Sequence, residues 1–451
     1  MTVAYLANQF PSPVEPYVTV EIEELRRRGV RVIAGSVWRP DERARSNSAA
    51  GRDQDLVVLQ PFHIALLARA AWLCLRRWRR ISDLVGRVIV HGRESTGQRL
   101  KALVHTWLGA YYAVCLQEKD VQHIHVHHGY FGAWVAMVAA RLLNVSYSIT
   151  LHGSDLLTHA AYLDAKLNNC QFCVTVSEFN RGYILGHYPM IDPGKVVVAR
   201  LGVDLPEPAA AYAAGVRASI LRRPGGSPFR LLAVGRLHAV KDHAFFLRAC
   251  AELCRRGLDF RCEIAGEGPE RRNLERLIRE YRLAEHVCLL GYVPHKQLEP
   301  LYQAADVVVV TSRSEGIPLV LMEAISRGKI VLAPAITGIP ELVVAGETGF
   351  LYEPGSAEDF VARVLWLRSL TPGSQSAGSG HQVSSAVNQL DRIRNRAKEH
   401  VRRYFNRKKN LESFADLFLE RALELTLEPT LDRTAANQEN SAHEDPLLQQ
   451  I

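Results

Sequence analysis

Apolar runs that fit β-strands alternate with runs of helical spacing along most of the chain. Val121–Val126 is followed by Gly132–Leu143, and Phe229–Val234 is followed by Phe245–Arg256. The stretch 307–310 is apolar at every position, as expected of a strand that is buried on both faces. The alternation therefore predicts an α/β protein whose parallel sheets are covered by helices.

A change in composition divides this pattern into two halves. Between Pro206 and Pro228 the sequence turns to Pro, Ala, Gly and Arg, and a new strand begins after it. The chain has 451 residues, and single cores stop growing at roughly 250–300 residues. We predict an amino-terminal domain over 1–205, a linker over 206–228, a carboxyl-terminal domain over 229–405, a returning helix over 406–428 and a polar tail over 429–451.

Composition and charge exclude several protein classes. Hydrophobic residues make up 47% and charged residues 23% of the chain, as in ordinary globular proteins. The formal net charge of +8 favours attraction to phosphates or to an anionic membrane, but the scattered basic residues form no nucleic-acid-binding module. The amino terminus lacks the features of a signal peptide, and no apolar run reaches the ~18 residues of a membrane span. The eight cysteines lie in apolar segments, so we expect a cytoplasmic protein with free thiols.

The densest chemical signal follows the buried strand 307–310. There the chain reads as a strand, a loop and a helix over Thr311–Gly328. Ligands of open α/β sheets bind beyond the carboxyl ends of strands, and a helix N-terminus offers N–H groups to a phosphate. Glu315 in the loop and Glu323 about one turn into the helix could each accept hydrogen bonds from sugar hydroxyls. The alternative is that Glu323 is a solvated helix acid and Glu315 a cap.

This stretch resembles the E-x7-E motif of the family 4 retaining glycosyltransferases, which have the two-domain GT-B fold. Five further blocks resemble segments of that family in the same order: Val234–His243, Ile264–Pro269, Leu290–Pro294, Tyr302–Asp306 and Ala335–Glu341. In the first of them, Asp242 stands where the family usually has glycine. Several ordered blocks are far more specific than one. The resemblance implies two Rossmann-like, doubly wound domains that face a central cleft, with the acceptor on the first and a nucleotide-sugar donor on the second.

The resemblance also assigns roles to single residues of the second domain. Arg236 and Lys241 follow a strand and would neutralise the donor diphosphate; the alternative is a pair of exposed basic residues. Glu323 would hold the ribose hydroxyls, and Glu315 would hold the transferred sugar. The remaining donor contacts implied for this domain are Gly235, Val293, Gly316, Ile317, Leu319 and Val320.

Three positions of the first domain follow predicted strands on the side of the cleft. In similar enzymes the histidine at the position of His152 lies beside the donor sugar and helps to position it; the alternative is a core histidine. Ser177 fits a donor contact or a plain helix N-cap equally well. Gly129 follows a strand that resembles the family's H-x-H strand, and we assign it to acceptor binding.

The opening segment Asn8–Tyr17 lacks the Gly-Gly loop of many relatives. It resembles instead the F-P-x-x-S/P-E-x-F opening of the branch that builds colanic acid and other exopolysaccharides. Acceptor recognition belongs here, with Glu15 as a candidate contact. The alternative for Glu15 is an exposed acid in a turn.

Two further patterns admit a metal site. Alternation along a strand brings His123, His125 and His127 to one face, with His128 beside them, and Cys170 and Cys173 form a C-x-x-C pair. Zn²⁺ needs convergent ligands, however, and the C-x-x-C has no second pair. The sequence also lacks the D-x-D pair of a metal-dependent transferase. We predict no metal and no cofactor beyond the nucleotide-sugar co-substrate.

The segment Ala65–Ile81 combines an apolar stripe with tryptophans and four arginines in Arg76–Arg80. Such a helix can lie on an anionic bilayer, peripherally on the inner face of the membrane. The alternative is an ordinary amphipathic helix of the first domain.

The sequence thus predicts a metal-independent, retaining hexosyltransferase-type enzyme that acts on a glycan or lipid-linked acceptor in polysaccharide biosynthesis. A nucleotide-sugar epimerase of the same fold and a non-catalytic nucleotide-sugar-binding protein are the alternatives.

Overall fold

The first half of the chain forms one parallel sheet. The computed structural model describes residues 1–12, 15–39, 56–90, 94–157, 161–205, 227–371 and 380–423. The strands of the first sheet are β1 (Thr2–Gln9), β2 (Arg31–Trp38), β3 (Val57–Val58), β4 (His123–His127), β5 (Ser146–Leu151), β6 (Phe172–Thr175) and β7 (Val196–Val198). Their order across the sheet is β3-β2-β1-β4-β5-β6-β7, and every paired neighbour is parallel.

Helices cover both faces of this sheet. They are α1 (Pro16–Arg27), α2 (Ile64–Arg76), α3 (Ser82–Ile89), α4 (Thr96–Leu116), α5 (Phe131–Leu143), α6 (Ser154–Leu157), α7 (Leu163–Asn169) and α8 (Glu178–His187). Every residue of β4 is buried as a result, as is expected of a central strand in a parallel sheet.

The second half repeats the same design. Its strands are β8 (Phe229–Val234), β9 (Phe260–Ala265), β10 (Val287–Gly291), β11 (Val307–Val309), β12 (Ile330–Pro334) and β13 (Phe350–Tyr352). They lie in the order β10-β9-β8-β11-β12-β13, again all parallel. The helices are α9 (His243–Arg255), α10 (Arg271–Glu280), α11 (Glu299–Ala304), α12 (Leu319–Ser326), α13 (Ile339–Leu342), α14 (Ala357–Ser369) and α15 (Gly380–Tyr404). The predicted fold class of two doubly wound parallel sheets is confirmed.

Each sheet reverses its winding once, between β1 and β4 in the first sheet and between β8 and β11 in the second. A crevice opens at such a switch point beyond the carboxyl ends of the strands, and ligands bind there. The segment after β8 carries Arg236, and the loop after β11 carries Glu315. The fold therefore brings these two predicted donor segments to the same crevice.

The chain crosses back to the first sheet after α15. The main chain of Val203 donates to the carbonyl of Phe405 at 3.0 Å and accepts from the N–H of Arg407 at 3.1 Å. A Cβ atom at Gly202 would lie 2.6 Å from the Arg407 nitrogen, so only glycine permits this approach. A helix over 407–423 follows, and its Phe418 packs against the Phe172 ring of β6 at 5.6 Å.

Parts of the predicted division lie outside the described residues: 206–226 of the linker, 424–428 of the returning helix and the whole tail over 429–451. The predicted domain limits stay a prediction. Within the described segments, no helix has both the length and the apolar character needed to cross a membrane.

Candidate active site

The predicted phosphate-binding lysine meets the predicted sugar-binding glutamate in the second domain. Lys241 ends a single helical turn after β8, and its Nζ lies 2.5 Å from Oε1 of Glu315. The Ser312 hydroxyl donates to the same oxygen at 2.6 Å. Arg236 is exposed, and its side chain has no hydrogen-bond or ion-pair partner among the described residues. The segment after β8 thus presents two cations to the crevice.

Asp242, the departure from the family pattern, has a local explanation. Its φ of +46° is in the left-handed region, where glycine is favoured and aspartate is tolerated. Its carboxylate accepts the Phe245 N–H at 3.2 Å at the start of α9, and Oδ2 lies 2.6 Å from Nε of Arg313. Asp242 therefore caps a helix and holds the loop that carries Glu315.

Glu323 lies in the middle of α12, and its side chain is only 13% exposed. The Tyr302 hydroxyl donates to Oε2 at 2.8 Å, and Nε2 of His295 lies 2.9 Å from Oε1. The alternative of a solvated helix acid is therefore excluded. The ribose contact implied by the resemblance stays a prediction.

The loop after β5 lies directly against the loop after β11 in the second domain. A Cβ atom at Gly316 would be 2.2 Å from the His152 carbonyl oxygen, and one at Gly153 would be 2.8 Å from the Gly316 nitrogen. Gly153 also has a φ of +136°. Glycine at both positions lets the two main chains touch, and so His152 is brought beside the α12 N-terminus, where Leu319 and Val320 begin the helix.

The His152 side chain belongs to a buried chain of hydrogen bonds. Its Nε2 lies 2.9 Å from Nδ1 of His127, whose Nε2 lies 3.0 Å from Oε2 of Glu21 and 3.0 Å from the Tyr5 hydroxyl. Because a carboxylate only accepts, His127 carries its proton on Nε2 and accepts on Nδ1. His152 is then protonated on Nε2, which leaves its Nδ1 as an acceptor. Burial lowers the pKa of His152 well below its ordinary value, and the charge of the neighbouring His128 lowers it further, so the ring is neutral.

Asp155 holds the turn between these elements. It is fully buried, and its carboxylate accepts the N–H groups of His152 at 3.0 Å, Gly153 at 2.8 Å and Gly129 at 2.9 Å. Burial raises the pKa of Asp155, but the hydrogen bond and charge of His128, together with the Gly129 N–H, outweigh burial and lower the pKa. The Gly129 carbonyl is bound by Nζ of Lys166 at 2.8 Å. The main-chain polar groups of Gly129 are thus occupied by the protein itself, and its acceptor contact stays a prediction.

Glu15 is an ion-pair partner and not an exposed acid in a turn. Its Oε1 lies 2.9 Å from Nε2 of His128, whose Nδ1 lies 3.5 Å from Oδ2 of Asp155. Burial lowers the pKa of His128, but the two carboxylates outweigh burial and raise the pKa to about 10. The pKa of Glu15 is lowered by His128 against the effect of its own burial. A charged triad thus lies under the His152 ring, with the His128 and His152 centroids 4.6 Å apart.

Ser177 acts as the N-cap of α8. It is fully buried, and its hydroxyl accepts the Asn180 N–H at 3.1 Å. The structure shows the cap, and the donor contact of Ser177 stays a prediction. The next two N–H groups, of Glu178 and Phe179, donate to the carboxylate of Glu341 in the second domain, at 3.1 and 2.9 Å.

The other histidines of β4 are core residues. His123 lies 2.6 Å from the hydroxyls of both Ser146 and Ser148, and His125 lies 2.7 Å from Ser148 and 3.0 Å from Thr150. Burial lowers the pKa of His123 to about 3 and that of His125 well below its ordinary value. All eight cysteines are free. Within the described segments, no group of three His, Cys, Asp or Glu side chains has the geometry of a metal site.

Sequence reasoning missed several of these residues. Asp155 stands three positions after His152, in the same motif, so its spacing was a usable signal. Glu341 likewise ends one of the blocks that carry the family resemblance. Glu21 gave no signal, because it is one of several acids on an amphipathic helix and only the fold brings it to His127.

Comparison with known proteins agrees with this geometry. A model described as Glycosyltransferase Family 4 matches residues 14–207, and one described as Glycosyl transferases group 1 matches residues 222–378. The putative colanic acid biosynthesis glycosyltransferase WcaL of Salmonella typhimurium is 33% identical over 178 residues, 38% of this chain and 42% of that protein. The amylovoran biosynthesis glycosyltransferase AmsK of Erwinia amylovora is 32% identical over 146 residues, 31% of this chain and 36% of that protein. The chain thus matches less than half the length of either relative.

Solved structures resemble the whole described fold. A glycosyltransferase from Rickettsia africae has a TM-score of 0.62 at 17% identity, over 94% of this chain and 99% of that chain. Anabaena Alr3699/HepE, in complex with UDP and glucose, has a TM-score of 0.63 at 16% identity, over 93% and 99%. At this identity the likeness establishes the fold. The two family models show that the chain consists of a Glycosyltransferase Family 4 domain followed by a Glycosyl transferases group 1 domain.

Proposed function

We propose that the protein is a metal-independent, retaining glycosyltransferase that moves a sugar from a nucleotide diphosphate sugar to a glycan or lipid-linked acceptor in polysaccharide biosynthesis. The observation that carries the proposal is the meeting of the Lys241–Glu315 pair with the His152 loop across the cleft. The names of WcaL and AmsK support an exopolysaccharide product, and the UDP bound to HepE supports a nucleotide donor.

The cations after β8 suit a diphosphate leaving group. Lys241 is paired with Glu315 at 2.5 Å. When a diphosphate enters, Lys241 can bind its oxygens and Arg236 can add a bidentate contact. Glu315 is then free to accept hydrogen bonds from the sugar hydroxyls. Charge that develops on the leaving phosphate in the transition state is met by both cations and by the α12 N-terminus.

The remaining groups suit retention of configuration without an enzyme nucleophile. The C1–O bond of the donor breaks with its electron pair going to the diphosphate, and the acceptor oxygen bonds to C1 on the same face. The acceptor proton passes to the departing phosphate oxygen. His152 is neutral, with Nδ1 left as an acceptor, so it can bind a sugar hydroxyl and orient the sugar ring.

Lys241→Ala and Glu323→Ala are each expected to weaken nucleotide diphosphate binding by about 1.5–3 kcal/mol, the usual loss for one charge-assisted contact. Lys241 is 24% exposed and Glu323 13% exposed, and neither belongs to the hydrophobic core of the second domain, so the fold should be kept. Calorimetric titration with UDP, GDP and ADP measures the effect and identifies the base. Arg272→Ala, on the exposed side of α10, is the matched control. Unchanged affinity in both variants would refute the donor assignment.

Turnover is expected to survive EDTA, because Arg236 and Lys241 supply the positive charge that a metal would bring to the diphosphate. Transfer is measured with the donor identified by titration, with and without a saccharide acceptor. Loss of the donor without acceptor would indicate the epimerase alternative, and binding without turnover would indicate a non-catalytic protein. Complete loss of transfer in EDTA that Mg²⁺ or Mn²⁺ restores would contradict metal independence.

For the partners and location, we propose a cytoplasmic protein whose first domain makes peripheral contact with an anionic membrane on its inner face. The support is the exposed surface of α2 and its neighbours.

A further inference from the structure

Helix α2 exposes an apolar stripe to solvent. The side chains of Ile64, Trp72 and Leu75 are 84%, 66% and 70% exposed. Ala70 and Leu73, on the opposite side of the helix, are buried. These exposed positions repeat at intervals that keep them on one side of a helix. Trp78, in the turn after the helix, is also exposed. Large contiguous apolar surface on a folded domain marks an interaction site.

A second exposed stripe lies on α4, a helix that the sequence pattern did not single out. Leu100, Val104 and Trp107 follow one another at intervals of four and three residues, and all are exposed. The Trp107 indole N–H donates to the carbonyl of Leu67 in α2 at 3.2 Å. This contact brings the two helices together, so the stripes adjoin and form one surface, which we call the α2–α4 surface.

The charge of the α2–α4 surface has one sign. Neither helix contains Asp or Glu. The exposed cations on or next to the two stripes are Arg69, Arg76, Arg79 and Lys101. The two acids that follow α2 are engaged elsewhere, Asp83 with Arg141 and Glu94 with Arg87.

The structure corrects one part of the sequence-based hypothesis. Arg77 donates to the carbonyl of Leu142, and Arg80 donates to that of Arg141 at 3.3 Å, both at the C-terminal end of α5. These two arginines hold α2 to the domain. Only Arg76 and Arg79 of the four are free to meet a partner, within the described part of the chain.

We propose that the α2–α4 surface docks on an anionic lipid bilayer, with the two apolar stripes at the headgroup boundary and the cations against lipid phosphates. A bilayer fits because it offers apolar area and negative charge together. A second copy of the chain fits poorly, since an isologous contact would bring like charges against one another. The surface also adjoins the acceptor side of the cleft. His105 of α4 stacks on Phe131 at 4.6 Å, and Phe131 begins α5 just after the Gly129 turn.

The proposal is tested by co-sedimentation of the full chain with phosphatidylcholine vesicles that contain or lack phosphatidylglycerol, without any sugar substrate. Failure here therefore leaves the proposed transferase activity untouched, and that activity is tested separately by donor titration. The protein should sediment with the anionic vesicles only, and less as salt rises. Arg76→Gln with Arg79→Gln should lower the partition coefficient roughly 30-fold, at about 1 kcal/mol for each cation. Arg272→Gln with Arg279→Gln, on the second domain, should leave it unchanged.

A second pair of variants tests the apolar stripes. Ile64→Ser with Leu100→Ser should abolish binding to the anionic vesicles, whereas Met190→Ser, which removes an apolar side chain that is 86% exposed, should not. Thermal unfolding confirms that each variant is folded. Equal sedimentation of wild type and all variants, or none by wild type, would overturn the proposal. So would a wild-type dimer in size exclusion that Ile64→Ser with Leu100→Ser dissociates, because the surface would then bind a second copy.

Discussion

Asp155→Asn is expected to lower the free energy of unfolding by about 3–5 kcal/mol, the usual cost of removing one partner from a buried charged pair. The carboxylate is fully buried and accepts three main-chain N–H groups, from Gly129, His152 and Gly153. An amide at this position keeps one acceptor oxygen, turns an NH₂ toward an N–H donor, and leaves the His128 cation with Glu15 alone. Urea unfolding measured by circular dichroism gives the difference.

The pH dependence of the free energy of unfolding distinguishes the contribution of the Asp155–His128 ion pair from that of packing, which does not depend on pH. The pKa of His128 is raised to about 10, so its stabilising contribution is complete below about pH 6.5 and is lost as pH rises toward 10. The pKa of Asp155 is lowered, so its contribution is present above about pH 4 and is lost in acid. Stability should therefore be highest between about pH 4 and 6.5, and the alkaline decline should be much weaker in Asp155→Asn.

Two outcomes would contradict this account. If Asp155→Asn unfolds at the same urea concentration as wild type, the carboxylate does not stabilise the turn that contains it. If wild type and variant lose stability in parallel above pH 7, His128 is not held as a cation by Asp155. Asp259→Asn, an acid outside the cleft, provides the control for the substitution itself.

The fold could be predicted from the sequence because its signals are local. A run such as 229–234 is apolar and short, and the helical spacing that follows it places α9 within a few residues of its observed limits. Hydrophobic patterning reports which face of an element is buried, and alternating elements leave few ways to build a sheet. The predicted donor segments could be located for the same reason, since each follows a strand.

The pairing of polar side chains could not be predicted in this way. Lys241 and Glu315 are 74 positions apart, and Glu21 and His127 are 106 positions apart. No local pattern specifies such partners, because they depend on how strands are ordered and how far loops reach. The same limit explains why four neighbouring arginines appeared equivalent, although Arg77 is held by a carbonyl of α5.

Glu341 links the two domains beside the cleft. It lies in α13 of the second domain, and its carboxylate accepts the N–H groups of Glu178 and Phe179 at the start of α8 in the first domain. Nη2 of Arg200 lies 3.1 Å from the same carboxylate. A negative charge at a helix N-terminus is stabilising, and this one comes from the facing domain. The contact therefore favours the arrangement in which His152 meets Gly316.

Glu341→Ala is expected to reduce kcat by roughly 10- to 100-fold, which corresponds to the loss of about 1.5–3 kcal/mol from charge-assisted bonds that hold the cleft closed. Affinity for the nucleotide diphosphate should change less than twofold, because the contacts proposed for the nucleotide and its phosphates, Arg236, Lys241 and Glu323, lie on the second domain. Small-angle scattering should show a larger radius of gyration for the variant.

Glu347→Ala, which changes an exposed acid six positions away, is the control for Glu341→Ala. Arg200→Ala removes one of the three partners and should give a smaller effect in the same direction. If kcat and the radius of gyration of Glu341→Ala both equal those of wild type, the cleft closes without this carboxylate.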